Sequence, residues 1–195
     1  MSEPDLVAIP SQTVGPFFHF GLLETPTLGC LAGPGARGHR IWLSMRVVDG
    51  EGAPVPDAMI EIWQADGDGV VPPLPAPGAT AVQPAFTGFG RLATDADGTC
   101  TFETVRPGYV QESMPGAETQ APHINVCLFA RGLLRQIHTR VYFPDEPGLG
   151  SDPVLTLVPA DRRHTLLATA SADDPDLWRF DIRLQGEEET VFFDV

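Results

Sequence analysis

The segment at 121–125, Ala-Pro-His-Ile-Asn, carries the most suggestive polar pair in this sequence. Positions i and i+2 of a β-strand face the same side, so a His-x-His pair would direct two imidazoles at one metal ion. Here the second position is Asn125, whose neutral amide oxygen is a poor ligand for a high-valent transition metal. The segment has the form of a metal-ligand strand with one ligand missing. Taken alone, a single histidine on a strand such as His123 is more often a hydrogen-bonded core residue than a metal ligand.

Other candidate chemistry is weaker. Residues 66–69 (Asp-Gly-Asp-Gly) and 95–98 (Asp-Ala-Asp-Gly) look like calcium loops, but neither continues to the further oxygen ligands and closing glutamate that such a loop needs. We interpret both as turns. The three cysteines, Cys30, Cys100 and Cys127, are odd in number and lack C-x-x-C spacing, which argues against a disulfide framework and a zinc ribbon. We expect Cys100 and Cys127 to be buried thiols.

Charge and length restrict the function further. The chain has 195 residues, a net charge of −14 and a pI of about 4.5. An acidic field repels phosphate backbones, which argues against nucleic acid as a partner, and an anionic substrate would need a local arginine. No apolar run approaches the ~20 residues of a membrane span, and the first ten residues do not resemble a signal peptide. We therefore expect no membrane partner and a cytoplasmic location.

Hydrophobic alternation predicts an all-β fold. Gly and Pro contribute 20 residues each, as expected for short strands joined by turns. The sequence predicts one antiparallel β-sandwich over residues 41–195, with long loops, preceded by an extended N-terminal arm over 1–40 that packs on the core and on a partner subunit. The turn at 95–98 predicts a hairpin. The predicted strands are 41–49, 58–64, 90–94, 99–105, 123–130, 134–143, 164–169, 178–184 and 190–193.

Four motifs give a resemblance to a known family. They are Ser-Gln-Thr-Val-Gly-Pro-Phe-Phe at 11–18, Glu-Ile-Trp-Gln-Ala-Asp at 61–66, the segment at 121–125, and Gln-Gly-Glu-Glu-Glu-Thr-Val-Phe-Phe-Asp at 185–194. With these motifs the sequence resembles the intradiol ring-cleaving dioxygenases from about residue 10 to its C-terminus. Within that family it is most similar to the alpha subunits of the two-subunit enzymes that act on protocatechuate. The resemblance implies the same β-sandwich.

The family implies a non-haem Fe(III) held by two tyrosines and two histidines, at which O₂ opens a catechol ring between its two hydroxyls. The corresponding positions here are Val71, Val110, His123 and Asn125, so one ligand of four is kept. Tyr109 stands beside the second position, and a one-residue slip could restore one phenolate.

The tyrosine count also opposes an iron site. The chain has two tyrosines, and the second, Tyr142, matches a core strand of the family instead of a ligand loop. The resemblance therefore implies that this chain binds no metal and supplies no catalytic residue. Fe(III) would belong to a homologous beta subunit.

The resemblance also implies a role for the arm. In the family the alpha subunit's N-terminal segment lines the pocket around the beta subunit's iron, and the matching residues are Thr13, Gly15, Pro16 and, more loosely, Phe17. Arg131 matches an arginine near that pocket, where a guanidinium could hold the carboxylate of protocatechuate. Thr13, Gly15, Pro16 and Arg131 are thus the predicted substrate-binding residues. A simple turn in the arm and a salt bridge between subunits are the alternatives.

Three functions stay open on the sequence alone. The first is an alpha subunit that completes a protocatechuate-cleaving enzyme with its beta subunit. The second is a binding or structural β-sandwich module without a catalytic partner, since fold alone does not give function. The third is a self-sufficient dioxygenase of the homodimeric catechol type. The missing ligands and the absence of a long helical N-terminal region count against the third.

Overall fold

The computed structural model describes residues 9–23, 26–73, 85–110 and 118–194, without the side chains of residues 16, 17, 26 and 27. Predictions for the start of the arm and for parts of two long loops lie outside the described residues. Two four-stranded sheets enclose one main hydrophobic core, which confirms the predicted β-sandwich.

The sheets have the strand orders β4-β1-β8-β7 and β3-β2-β5-β6. Every strand pair is antiparallel except β1 with β8, which is parallel and departs from the predicted all-antiparallel arrangement. The bounds are β1 Arg40–Val48, β2 Met59–Trp63, β3 Phe89–Ala93, β4 Thr99–Val105, β5 His123–Phe129, β6 Ile137–Tyr142, β7 Thr169–Ala170 and β8 Leu177–Arg183.

Alternation along the strands sets which side chains reach the core. On β2, Ile60 and Ile62 are fully buried while Glu61 between them is partly exposed, as predicted. Cys100 and Cys127 are buried thiols, also as predicted. The fully buried face of β1, which the sequence also predicts, consists of Ile41, Leu43, Met45 and Val47.

The arm contains more regular structure than its sequence indicates. Helix α1 spans Pro16–Leu22, and a 3-10 helix follows at Pro26–Gly29. Proline suits the first turn of a helix, where its missing N–H has no intrahelical partner. Further along, Leu31 and Ala32 are buried in the core. No helix in the described part of the chain is long and apolar enough to cross a membrane.

The predicted hairpin at 95–98 is wrong, because β3 and β4 belong to different sheets. The turn itself forms. Asp95 Oδ1 accepts hydrogen bonds from the N–H groups of Asp97 and Thr99, both at 2.9 Å, and Gly98 adopts a positive φ of 72°. An Asx turn reverses the chain but does not determine which strands pair. Here β3, before the turn, pairs with β2, and β4, after the turn, pairs with β1.

The predicted strand at 164–169 is wrong as well. A 3-10 helix spans Arg163–Leu166, and only the two-residue β7 follows. The hydroxyl of Thr165 donates to the carbonyl of Arg162 at 2.9 Å, a local bond that competes with strand pairing.

The predicted final strand at 190–193 is reduced to one β-bridge. Two 3-10 helices, Leu149–Ser151 and Leu155–Leu157, lie in the loop between β6 and β7.

A buried polar contact joins the two sheets. Gln64, just after β2, accepts a hydrogen bond from the hydroxyl of Thr104 on β4 at 2.8 Å. Its amide nitrogen donates to the carbonyl of Val105 at 2.8 Å. Both side chains are buried, so neither can exchange this bond for water without opening the sandwich.

Replacing Thr104 by Val should therefore lower the free energy of unfolding by about 1–3 kcal/mol, because the Gln64 oxygen loses its donor. Urea unfolding measures the change. Thr101→Val on the exposed face of the same strand is the matched control and should stay within about 0.5 kcal/mol of the native chain. Equal effects of the two substitutions would contradict a special role for the buried contact.

Candidate functional site

The outer face of the second sheet carries the candidate metal strand. In register, Asn125 on β5 lies between Trp63 on β2 and Arg140 on β6, and His123 lies opposite Tyr142. Directly paired residues in a sheet project to the same face, so these side chains are neighbours. The site is therefore built by three strands.

His123 is a neutral, buried imidazole. It is 5% exposed, and its Nδ1 lies 2.8 Å from the carbonyl oxygen of Ala121. That acceptor assigns the proton to Nδ1, which leaves the lone pair on Nε2. Burial, with a smaller contribution from the positive charge of Arg140, lowers the pKa of His123 to about 4.

Asp152 is the buried hydrogen-bond acceptor next to His123 and Tyr142. Its Oδ1 accepts hydrogen bonds from the hydroxyl of Tyr142 at 3.0 Å and from the N–H groups of Val154 and Leu155 at 3.0 and 2.8 Å. Its Oδ2 accepts from the N–H of Ala121 at 2.8 Å. Burial raises the pKa of Tyr142, so this side chain is a neutral phenol that donates to Asp152. Its place in a core strand is as predicted.

A guanidinium stands beside the candidate metal strand. Nη1 of Arg140 donates to the side-chain oxygen of Gln120 at 2.8 Å and lies 3.4 Å from the hydroxyl of Tyr142. Sequence reasoning missed Arg140 and Gln120. The signal that could have found Arg140 is its register opposite Asn125, which requires knowing how β5 and β6 pair.

The residues at the family's other iron positions do not fit an Fe(III) ion. Val71 is apolar and 63% exposed, and the N–H and C=O of Val110 bond to the backbone of Gln120. The Tyr109 hydroxyl is engaged with the N–H of Gly148 at 3.2 Å. In the described ranges, no group of three or more His, Cys, Asp and Glu side chains could hold a metal. A positively charged arginine beside one neutral histidine is a poor setting for a trivalent cation.

The arm brings three of the four predicted substrate-binding residues to one place. The hydroxyl of Thr13 accepts a hydrogen bond of 2.8 Å from the N–H of Gly132, in the turn after β5. Gly15 and Arg131 line the same cavity of about 170 Å³. Pro16 begins α1 beside this cavity, and its side chain lies outside the described atoms.

Two further contacts hold the arm in position. The rings of Phe18 and Phe129 lie 5.3 Å apart, and His19 Nδ1 lies 2.7 Å from a carboxylate oxygen of Asp57. Arg131 itself is exposed and forms no hydrogen bond or ion pair with any residue that the structure describes. Its charge is available to a ligand or a partner.

Comparison with known proteins agrees with the resemblance. A family model described as dioxygenase matches residues 31–186. The protocatechuate 3,4-dioxygenase alpha chain of Burkholderia cepacia is 46% identical, with 95% of this chain and 96% of that protein covered. The alpha chain of Pseudomonas putida is 45% identical, with 95% of each covered. The Burkholderia cepacia beta chain is 33% identical over 78% of this chain and 67% of its own length.

Solved structures share the fold. The 3-chlorocatechol 1,2-dioxygenase of Rhodococcus opacus 1CP has a TM-score of 0.62 at 21% identity, covering 83% of this chain and 64% of that one. An intradiol ring-cleavage dioxygenase from Tetranychus urticae has a TM-score of 0.58 at 18% identity, covering 80% of this chain and 84% of that one. With the family model and the full-length relatives, these matches establish that this chain belongs to the intradiol dioxygenase family.

Proposed function

We propose that this chain is the alpha subunit of a protocatechuate 3,4-dioxygenase and shapes an active site whose Fe(III) is held by a homologous beta subunit. The reaction would add O₂ to protocatechuate and open the ring between its hydroxyls, giving 3-carboxy-cis,cis-muconate. The observation that carries the proposal is the likeness to alpha chains over nearly the whole length of both proteins.

The defective metal site supports this division of labour. Of the four family ligand positions, His123 alone keeps its donor, and Arg140 lies beside it. A beta chain is also recognisably similar to this chain, as expected for two homologous subunits that pair. A family enzyme that uses non-haem iron would therefore need a second subunit to hold it.

The arm cavity supports a contribution to substrate binding. Gly15 lacks a side chain, and nothing lies within 4 Å of where its Cβ would be, so a flat ring could approach the backbone there. Arg131 lines the same cavity and could pair with the carboxylate of protocatechuate in a two-pronged hydrogen bond. In a chain of net charge −14, such a local cation would offset the long-range repulsion of an anionic substrate.

Three free thiols, Cys30, Cys100 and Cys127, support placing the protein in the cytoplasm.

Assembly and iron content test the proposal. We expect the chain expressed alone to be colourless, free of iron and inactive, and the chain co-expressed with its beta subunit to be coloured and to consume O₂ with protocatechuate. Iron analysis, visible absorption and an oxygen electrode measure these outcomes. An active, coloured lone chain would contradict the proposal. A colourless, inactive pair would favour the binding-module alternative.

The role of Arg131 has its own test in the alpha–beta complex. Arg131→Gln should raise KM for protocatechuate by about tenfold, because a charge-assisted hydrogen bond to the carboxylate is lost. KM for catechol, which has no carboxylate, should change little. Arg46→Gln, an exposed arginine on the other sheet, is the control. Unchanged protocatechuate kinetics with intact assembly would assign Arg131 to another role.

A further inference from the structure

Arg140 is a half-buried arginine on the outer face of the second sheet. Its hydrogen bonds within the described residues go to neutral groups, the amide oxygen of Gln120 and the hydroxyl of Tyr142. No carboxylate of the described residues lies within 4.0 Å of its guanidinium. Five other arginines each pair with a carboxylate within that distance: Arg37, Arg40, Arg91, Arg106 and Arg135.

The carboxylate below the site does not form an ion pair with Arg140. Asp152 is 1% exposed, and its two oxygens accept hydrogen bonds from the Tyr142 hydroxyl and from three backbone N–H groups. Its acceptor positions are used to hold the strand and the following turn. The guanidinium of Arg140 thus keeps a positive charge without a paired anion among the described residues.

The neighbours of Arg140 complete a recognisable donor set. Asn125 lies directly across the strand pair, is partly exposed and forms no side-chain hydrogen bond with another described residue. Trp63 lies on the far side of Asn125 and is 37% exposed. A guanidinium, a free amide and an accessible indole in one row match the charge and flat shape of an aromatic carboxylate.

His123 adds an acceptor to this row. Its Nδ1–H donates a hydrogen bond to the carbonyl oxygen of Ala121, and its Nε2 forms no hydrogen bond with a described residue. The unprotonated nitrogen of a neutral imidazole accepts a hydrogen bond from a hydroxyl and cannot donate one to a carboxylate. The same lone pair would serve a metal ion only against the repulsion of Arg140.

We propose that Trp63, His123, Asn125 and Arg140 form a second ligand site, which takes an aromatic carboxylate in place of a metal ion. This site carries a positive side chain and takes an anion, whereas the iron site of the family takes a cation. It lies within this chain, so its ligand does not depend on the partner subunit proposed above. Its function would be to bind a substrate-like or product-like anion away from the iron of the complex.

The test uses the full chain labelled with ¹⁵N-histidine, with the His123 ring signals assigned from a His123→Gln variant. Benzoate is the probe, benzamide is its neutral match and Co²⁺ is the metal probe. We expect benzoate to shift the His123 signals in a saturable manner, benzamide to shift them much less at equal concentration, and Co²⁺ to leave them sharp. Equal shifts with benzamide, no shift with benzoate, or broadening of His123 by Co²⁺ would overturn the proposal.

Variants identify the charge responsible. Arg140→Gln should weaken benzoate binding by about tenfold or more, as expected for the loss of a charge-assisted hydrogen bond. Arg140→Lys should retain part of the affinity. Arg179→Gln, an exposed arginine on the other sheet, and Arg131→Gln, in the arm cavity, should leave the His123 shifts unchanged. Loss of the shifts in Arg131→Gln would place the anion in the arm cavity instead. If Arg140→Gln does not fold, the comparison of benzoate with benzamide on the native chain still decides.

Discussion

The two-residue period of β5, fixed between β2 and β6, is the constraint on which the rest of the structure depends. Its inward residues, Ile124, Val126 and Leu128, are buried in the shared core of the two sheets. Because side chains alternate, this burial forces His123 and Asn125 onto the outer face, and a slip of one residue would exchange the two sets. The position of the candidate site is therefore a consequence of core packing.

The same pairing gives this face a setting that disfavours a metal ion. β6 brings Arg140 against Asn125, and the buried network of Asp152 and Tyr142 holds the end of the strand without leaving a free carboxylate. The guanidinium of Arg140 places a positive charge close to the strand at which the resemblance to the family implies an iron ion. In the proposed function the substrate-binding residues lie instead in the arm, which the hydrogen bond between Thr13 and Gly132 holds beside Arg131.

The sequence predicts those features that a single segment determines. Strands β1, β2 and β5 follow from alternation, because every second residue of each is an apolar residue of the core. The residue type at Asn125 is enough to indicate the missing ligand in the metal strand. Features that depend on pairing between segments are missed. The turn at 95–98 forms as expected, yet its strands enter different sheets, and Arg140 becomes notable only when its partner across the sheet is known. The helix in the arm is missed because seven residues are too few to show a helical period.

In the proposed alpha–beta complex, the partner subunit holds the iron and no iron lies beside His123. Anomalous diffraction at the iron absorption edge, from crystals of that complex, locates the metal. We predict one iron peak per alpha–beta pair, located in the beta subunit, and no peak on the outer face of β5. An iron peak within bonding distance of His123 would show that this chain holds iron itself and would rule out the proposed division of roles between the subunits.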